Sequence, residues 1–185
     1  MALYILSGGP GAGKTTLLAA LRQAGFAGAA EVSRQLIREQ VAGGTALVPW
    51  QDLAGFAELA LARMVALHEQ ATRRGGVTFF DRGIPDILAY LAVAGLPVPP
   101  AYRAVAAAHR YQNPVFLAPP WPEIYVNDAE RWQTFAEAEA LCYALRDTYL
   151  NLGYEVLELP RGPVALRVDF VRAALCLPCT FEPGS

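Results

Sequence analysis

Residues 7–16 read SGGPGAGKTT and directly follow a short apolar run at positions 3–6. From Gly8 to Thr15 the stretch fits the pattern GxxxxGK followed by Ser or Thr, in which glycines let successive backbone N–H groups turn towards one anion. Leucines and alanines at 17–21 continue it as a helix, so the pattern has the strand before it and the helix after it that it requires. The stretch therefore predicts a phosphate-binding loop at a helix N-terminus, where the helix dipole adds positive potential.

A lysine and a threonine give this loop its predicted chemistry. Lys14 is the only lysine of the chain, and a compact ammonium group suits a position between phosphates. We expect Lys14 to contact the β- and γ-phosphates of ATP, and Thr15 to ligate Mg²⁺. A glycine turn without a ligand is the weaker interpretation, because the loop, its side chains and the flanking elements agree. The predicted nucleotide-binding residues are Gly8, Gly9, Gly11, Ala12, Gly13, Lys14, Thr15 and Thr16.

The composition is typical of one globular domain. The 185 residues predict a single unit at about 1–177 and a disordered tail at 178–185. A formal charge of −2 gives no general attraction to nucleic acid or to membranes. Since the sequence has no apolar run near the roughly 20 residues of a membrane-spanning helix and no recognisable leader, a cytoplasmic protein is predicted. The cysteines are interpreted as structurally incidental, because the lone CxxC at 176–179 lacks further zinc ligands.

Apolar runs and helical periodicities alternate along the rest of the chain. Predicted strands lie at 3–6, 27–30, 77–80, 115–117 and 154–159. Predicted helices follow the loop and then lie at 34–41, 50–74, 85–94, 102–110, within 128–150 and at 164–175. Such alternation indicates an α/β protein with a parallel sheet, and ligands of these sheets bind at the carboxyl ends of the strands.

That rule brings three further groups towards the loop: Glu31, the pair Asp81 and Arg82, and the stretch 119–121. Asp81 directly follows an apolar strand, where a carboxylate can orient Mg²⁺, and Arg82 could hold a group of a second substrate. A solvated salt bridge in a turn is the alternative interpretation of this pair. Asp86, in the next predicted helix, could either face the site or cap that helix.

Several motifs together resemble those of the small P-loop kinases, which include deoxynucleoside, thymidylate and nicotinamide riboside kinases. In detail the chain is most similar to bacterial AAA-family ATP-binding proteins related to the ribosylnicotinamide kinase domain. The motifs that carry the likeness are GGPGAGKTT (8–16), EVSR (31–34), FDRG (80–83), FLAPPW (116–121), DAER (128–131), QTF (133–135), GY (153–154) and PR (160–161).

This resemblance implies a three-layer P-loop fold with five parallel strands in the order 2-3-1-4-5 and a helical lid at about 121–150. It also implies roles for four side chains. Glu31 would activate the acceptor hydroxyl, and Asp81 with Arg82 would hold Mg²⁺, substrate or the transferring phosphoryl group. Arg131, in the lid, would contact the phosphates.

The functional hypothesis is an ATP- and Mg²⁺-dependent kinase that phosphorylates a small molecule such as a nucleoside, nucleotide or related metabolite. The alternative is an ATP-binding regulatory module or slow ATPase switch without a small-molecule acceptor. The catalytic candidates are Lys14, Glu31, Asp81, Arg82 and Arg131, and the metal ligands are Thr15 and Asp81. The sequence does not specify the acceptor. The long helix at 50–74 suits either a core position or the interface of a homodimer.

Overall fold

The architecture is seen in a computed structural model that describes residues 1–125 and 134–176. Five parallel strands form one sheet in the order β2-β3-β1-β4-β5. Their bounds are β1 (Ala2–Gly8), β2 (Ala27–Ala29), β3 (Val77–Asp81), β4 (Val115–Ala118) and β5 (Val156–Glu158). The predicted sheet and its strand order are confirmed.

Helices connect the strands as a parallel sheet requires. Within the described residues they are α1 (Lys14–Gln23), α2 (Val32–Ala42), α3 (Leu53–Arg74), α4 (Ile84–Val93), α5 (Pro100–Ala108), α6 (Phe135–Asn151) and α7 (Val164–Ala174). Each predicted helix is present, with ends that shift by a few residues. None of these helices is long and apolar enough to cross a membrane.

Side-chain caps mark the starts of two helices. Asp52 caps α3, because its Oδ1 accepts a hydrogen bond from Gly55 N over 2.8 Å, so the helix begins at Leu53 rather than at residue 50. For α6, Thr134 and Glu137 form a reciprocal capping box. The earlier part of the predicted 128–150 helix, residues 128–133, lies outside the described residues.

The sheet is buried on both faces, as the alternation of its side chains shows. Ile5 and Phe80 pack into a core formed with α3 and α4. Their neighbours Leu6 and Phe79 belong to the opposite core, which is completed by α1 and α7. Since successive strand residues point to opposite faces, this arrangement makes a three-layer α/β domain. The carboxyl ends of β1 and β3 therefore lie side by side at one edge.

Candidate active site

The glycine-rich loop joins β1 to α1 and folds around its own lysine. Gly13 caps the start of α1 with φ 75°, a left-handed value that favours glycine. Lys14 Nζ donates to the carbonyl oxygens of Gly8 (2.9 Å) and Gly9 (2.7 Å). Burial lowers the pKa of Lys14 to about 8, and the nearby Arg82 charge acts in the same direction. The ammonium thus sits in the loop among partial negative charges that a phosphate could replace.

Thr15 and Asp81 meet beside this loop, as the predicted Mg²⁺ site requires. Thr15 Oγ1 donates to Asp81 Oδ2 over 2.9 Å. The other carboxylate oxygen, Asp81 Oδ1, is buried and has no hydrogen-bond partner within the described part of the chain. Burial raises the pKa of Asp81, and the charge of Glu31 adds to that rise, against Lys14 and Arg82. A hydroxyl and a buried carboxylate with an unused oxygen are hard ligands, so these residues fit Mg²⁺.

Arg82 is buried and contacts both Glu31 and the phosphate-binding loop. It is only 5% exposed and has φ 75°, an uncommon value for a residue with a side chain. Its Nε donates to Glu31 Oε1 over 3.0 Å, and its Nη1 donates to the Gly8 carbonyl over 3.0 Å. The ring of Tyr90 covers the guanidinium at 5.2 Å. Arg82 therefore links the end of β2 to the phosphate-binding loop, so the solvated-turn interpretation is wrong.

Glu31 lies at the start of α2, where its backbone occupies the cap position. Besides Arg82, Arg34 lies near its carboxylate, 3.6 Å from Oε2. Burial acts to raise the pKa of Glu31, but the charges of Arg82 and Lys14 outweigh it and lower the pKa to about 2. The side chain is thus ionised at neutral pH and borders the cavity described below.

Of the two roles that the sequence left open for Asp86, the structure shows the helix cap, and Asp86 is not among the described residues that line the cavity. Its Oδ2 accepts from Gly83 N over 2.9 Å and so caps α4, and it also accepts from the Tyr149 hydroxyl. Its Oδ1 accepts from Ser7 Oγ over 2.8 Å and lies 3.5 Å from Arg82 Nη1. Because Asp86 is almost fully buried, this network holds the Arg82 guanidinium in one position.

Arg167 is a site residue that the sequence analysis did not single out. It lies on α7, far along the chain, and its guanidinium donates to the carbonyls of Ala12 (3.1 Å) and Gly13 (3.3 Å). Its Nε is buried without a hydrogen-bond partner among the described residues, and burial lowers the pKa of the group. The Trp121 ring lies 5.9 Å from the guanidinium carbon. Only its spacing within the last helix could have indicated this role, and that signal is not specific.

A cavity of about 780 Å³ connects these groups. Its floor is the loop from Pro10 to Thr16, with Glu31 and Arg82 on one side. On the opposite side of the loop, Trp121, Val164 and Arg167 line it. A space of this size, with few converging charged groups, is typical of a small-molecule site.

Two sequence-predicted features remain predictions. Arg131 and part of the predicted lid lie within 126–133, outside the described residues. The predicted tail and Cys179 lie within 177–185, which is also outside them. Of the other cysteines, Cys142 is buried and Cys176 exposed, and both are free thiols.

The fold and this arrangement of loop, lysine and strand-end carboxylate define a kinase-like P-loop NTPase. The model of the family described as AAA domain matches residues 3–167, so the chain belongs to that family. A search of curated proteins finds no match to the chain.

Solved structures with the same fold include three kinases or kinase-like proteins. The NadR protein in complex with NR is 20% identical, with a TM-score of 0.70 over 100% of this chain and 54% of NadR. The chain thus spans about half the length of that protein. Deoxyadenosine kinase from M. mycoides, with products dCMP and dCDP, is 12% identical at a TM-score of 0.66, over 94% of this chain and 98% of the kinase. Thymidylate kinase from Ehrlichia chaffeensis is 15% identical at a TM-score of 0.58, over 95% and 98%. At these identities the likeness establishes the fold.

Proposed function

We propose that the protein is an ATP-dependent phosphotransferase that moves the γ-phosphoryl group of ATP to a hydroxyl or phosphate of a small molecule. The observation that carries the proposal is that Glu31, held by Arg82, lines the same cavity as Lys14 and Thr15. A site that only bound nucleotide would not need an ionised, partly buried carboxylate beside the phosphate-binding loop. Nucleosides, nucleotides and related metabolites are the first acceptors to test, since such molecules are bound by the similar structures.

The loop would hold the donor through its backbone N–H groups and Lys14, which would exchange its carbonyl contacts for phosphate oxygens. Thr15 and Asp81 would hold Mg²⁺, which when bound neutralises developing charge on the β- and γ-phosphates. Arg131 is proposed as a further cation for these oxygens. Because the transition state for phosphoryl transfer is loose, positioning and charge neutralisation supply most of the rate.

Glu31 would accept a hydrogen bond from the acceptor hydroxyl and take its proton as the oxygen bonds to the γ-phosphorus and the bond to ADP breaks. A carboxylate with a pKa of about 2 is a weak base, but it remains ionised and orients the hydroxyl at every pH near neutrality. Arg82 holds Glu31 in place through the 3.0 Å bond.

The experiment is ATP consumption with and without a panel of nucleosides, nucleotides and nicotinamide riboside, with products identified by mass spectrometry. Stimulation by an acceptor together with its phosphorylated product supports the proposal. Lys14→Ala should abolish consumption, which checks that it arises from this site. ATP hydrolysis that depends on Lys14 but is unaffected by any acceptor would mark an ATPase instead.

A further inference from the structure

The residues that line the cavity fall into two groups, one on each side of the phosphate-binding loop, and the space beside each group is here called an arm. The loop follows β1 in the middle of the sheet, with β3 and β2 on one side and β4 and β5 on the other. One arm is bounded by α7, which follows β5, and includes Arg167. The other is bounded by α2, α3 and α4 and includes Glu31. Since Glu31 is the proposed acceptor-activating residue, the second arm, here called the acceptor arm, is where the body of the acceptor would lie.

The walls of the acceptor arm are apolar and firmly anchored. The helix side chains that line it include Ile37, Leu53, Phe56, Ala60 and Ile87. Phe56, Ala60 and Ile87 are each less than a tenth exposed and belong to the core on that face of the sheet. The shape of the arm is therefore set by the same packing that stabilises the fold.

Charged groups in the acceptor arm are confined to its end beside the loop. There Arg82 and Glu31 are bonded to one another, and Arg34 lies 3.6 Å from Glu31. Ser33 and Tyr90 supply the remaining side-chain polar atoms of this arm, and the Tyr90 ring packs against Arg82. Among the described residues that line the whole cavity, there is no asparagine, glutamine, aspartate or histidine side chain.

This distribution discriminates between kinds of acceptor. A nucleobase carries several donors and acceptors along its edge, and each one that is buried without a partner costs affinity. Sites that select hydrogen-bonding groups place matching polar side chains against them, whereas apolar walls favour apolar surface. The acceptor arm offers hydrogen bonds where the reacting oxygen would lie and apolar contact beyond it.

We infer that the acceptor is an alcohol with an apolar body, whose hydroxyl lies at Glu31 and whose body occupies the arm lined by Ile37, Leu53, Phe56 and Ile87. This inference rests on the proposed phosphotransfer. The alcohol oxygen bonds to the γ-phosphorus, the bond from that phosphorus to the ADP oxygen breaks, and the hydroxyl proton passes to Glu31. The products are a phosphate monoester and ADP, with no oxidant or reductant.

The test compares two sets of acceptors with ATP and Mg²⁺: 2-phenylethanol and 4-phenylbutanol against deoxyadenosine, thymidine and nicotinamide riboside. We expect kcat/KM for the better alcohol to be at least tenfold that of every nucleoside, with the phosphate monoester identified by mass spectrometry. In saturation-transfer NMR with a non-hydrolysable ATP analogue, the alcohols should bind and the nucleosides should not displace them.

The variants locate the bound alcohol. Ile37→Asn places an amide in the arm and should raise KM for the alcohol at least tenfold. The matched control is Val41→Asn, one turn further along α2, because Val41 is 58% exposed and does not line the cavity. Leu53→Gln, at another partly exposed wall position, is the second variant should Ile37→Asn fail to fold.

Each outcome separates the inference from the proposed function. A nucleoside that is phosphorylated as well as the alcohols, or better, overturns the apolar acceptor while the phosphotransfer stands. Equal effects of Ile37→Asn and Val41→Asn overturn the assignment of the acceptor arm. ATP hydrolysis without a phosphorylated product from either set overturns the phosphotransfer, and the inferred acceptor with it.

Discussion

Thr15 and Asp81 are 66 positions apart in the chain, yet Thr15 Oγ1 donates to Asp81 Oδ2 over 2.9 Å. The pairing of β1 with β3 brings them together, since Leu6 lies opposite Asp81 in the sheet and the loop begins two residues later. The bond uses one carboxylate oxygen and leaves the other buried without a partner among the described residues. A buried anion held this way is costly unless a cation joins it, which supports the proposed role of the pair in holding Mg²⁺.

The first prediction concerns Asp81→Asn. The amide keeps an oxygen that can accept from Thr15 but removes the charge that would hold Mg²⁺, so we expect ATP turnover to fall about 100-fold. Because burial opposes the carboxylate and raises its pKa, the thermal midpoint without ligand should stay the same or rise. Initial rates over a Mg²⁺ titration and thermal unfolding measure the two effects. Asp147→Asn, on the exposed face of α6, is the control and should change neither.

The second prediction is that Glu31→Gln separates transfer from binding. Glutamine can still receive the Arg82 bond but cannot take a proton, so kcat should fall by about 100-fold or more while the Kd for ATP stays within twofold. Calorimetry with ATP and a coupled assay with the acceptor measure these quantities. Glu39→Gln, further along α2, disrupts an exposed pair with Arg63 of α3 and should change neither. Normal turnover in Glu31→Gln would remove the proposed role of this carboxylate.

A third prediction follows from the lowered pKa of Lys14, which is about 8 in the folded protein and 10.5 for an ordinary lysine. Phosphate oxygens favour the charged form, and about three quarters of Lys14 is neutral at pH 8.5, so ATP binding at this pH should take up at most about three quarters of a proton. Calorimetry in two buffers of different ionisation enthalpy measures this uptake. In Lys14→Arg, whose side chain stays charged at this pH, the uptake should vanish.

The same pKa has a consequence for stability. Between pH 8 and 10.5 the unfolded chain binds more protons at Lys14 than the folded chain does, so this group makes the free energy of unfolding rise with pH. From pH 8 to 9.5 the gain over Lys14→Arg should be at most about 2 kcal/mol, measured by urea unfolding. A fall over this range, relative to that variant, would contradict the lowered pKa.

Asp86→Asn is the fourth prediction and tests the network beneath Arg82. The carboxylate accepts from Ser7, Gly83 and Tyr149, whereas an amide nitrogen would face some of these donors with donors of its own. We expect the free energy of unfolding to fall by about 3 kcal/mol. Ser7→Ala removes only one neutral bond and should cost about 1 kcal/mol. Equal losses in the two variants would mean that Asp86 acts through the Ser7 bond alone.

The sequence predicted those parts of the molecule that depend on local pattern. The loop, the strand that delivers Asp81 and the strand order all follow from apolar runs, glycine chemistry and the likeness to known kinases. It also brought Glu31 and Arg82 to one edge, because parallel strands end together.

Contacts that depend on packing could not be predicted in this way. The sequence around Arg167 does not indicate that its guanidinium contacts the carbonyls of Ala12 and Gly13. That contact exists only once α7 packs beside α1. In the same way, the Tyr149 bond to Asp86 joins two helices whose meeting depends on how α6 crosses the sheet.

The last prediction concerns Arg167, which holds the loop by donating to the carbonyls of Ala12 and Gly13. Arg167→Met keeps much of the apolar packing but removes these bonds and a buried charge beside the phosphate site. We expect KM for ATP to rise about tenfold, because a less ordered loop loses freedom on binding, while kcat at saturating ATP changes by less than threefold. Arg73→Met is the control, since Arg73 is exposed and pairs with Glu69 on α3. A fall in kcat with unchanged KM would instead place Arg167 in the transfer step, as a cation that acts only on the transition state.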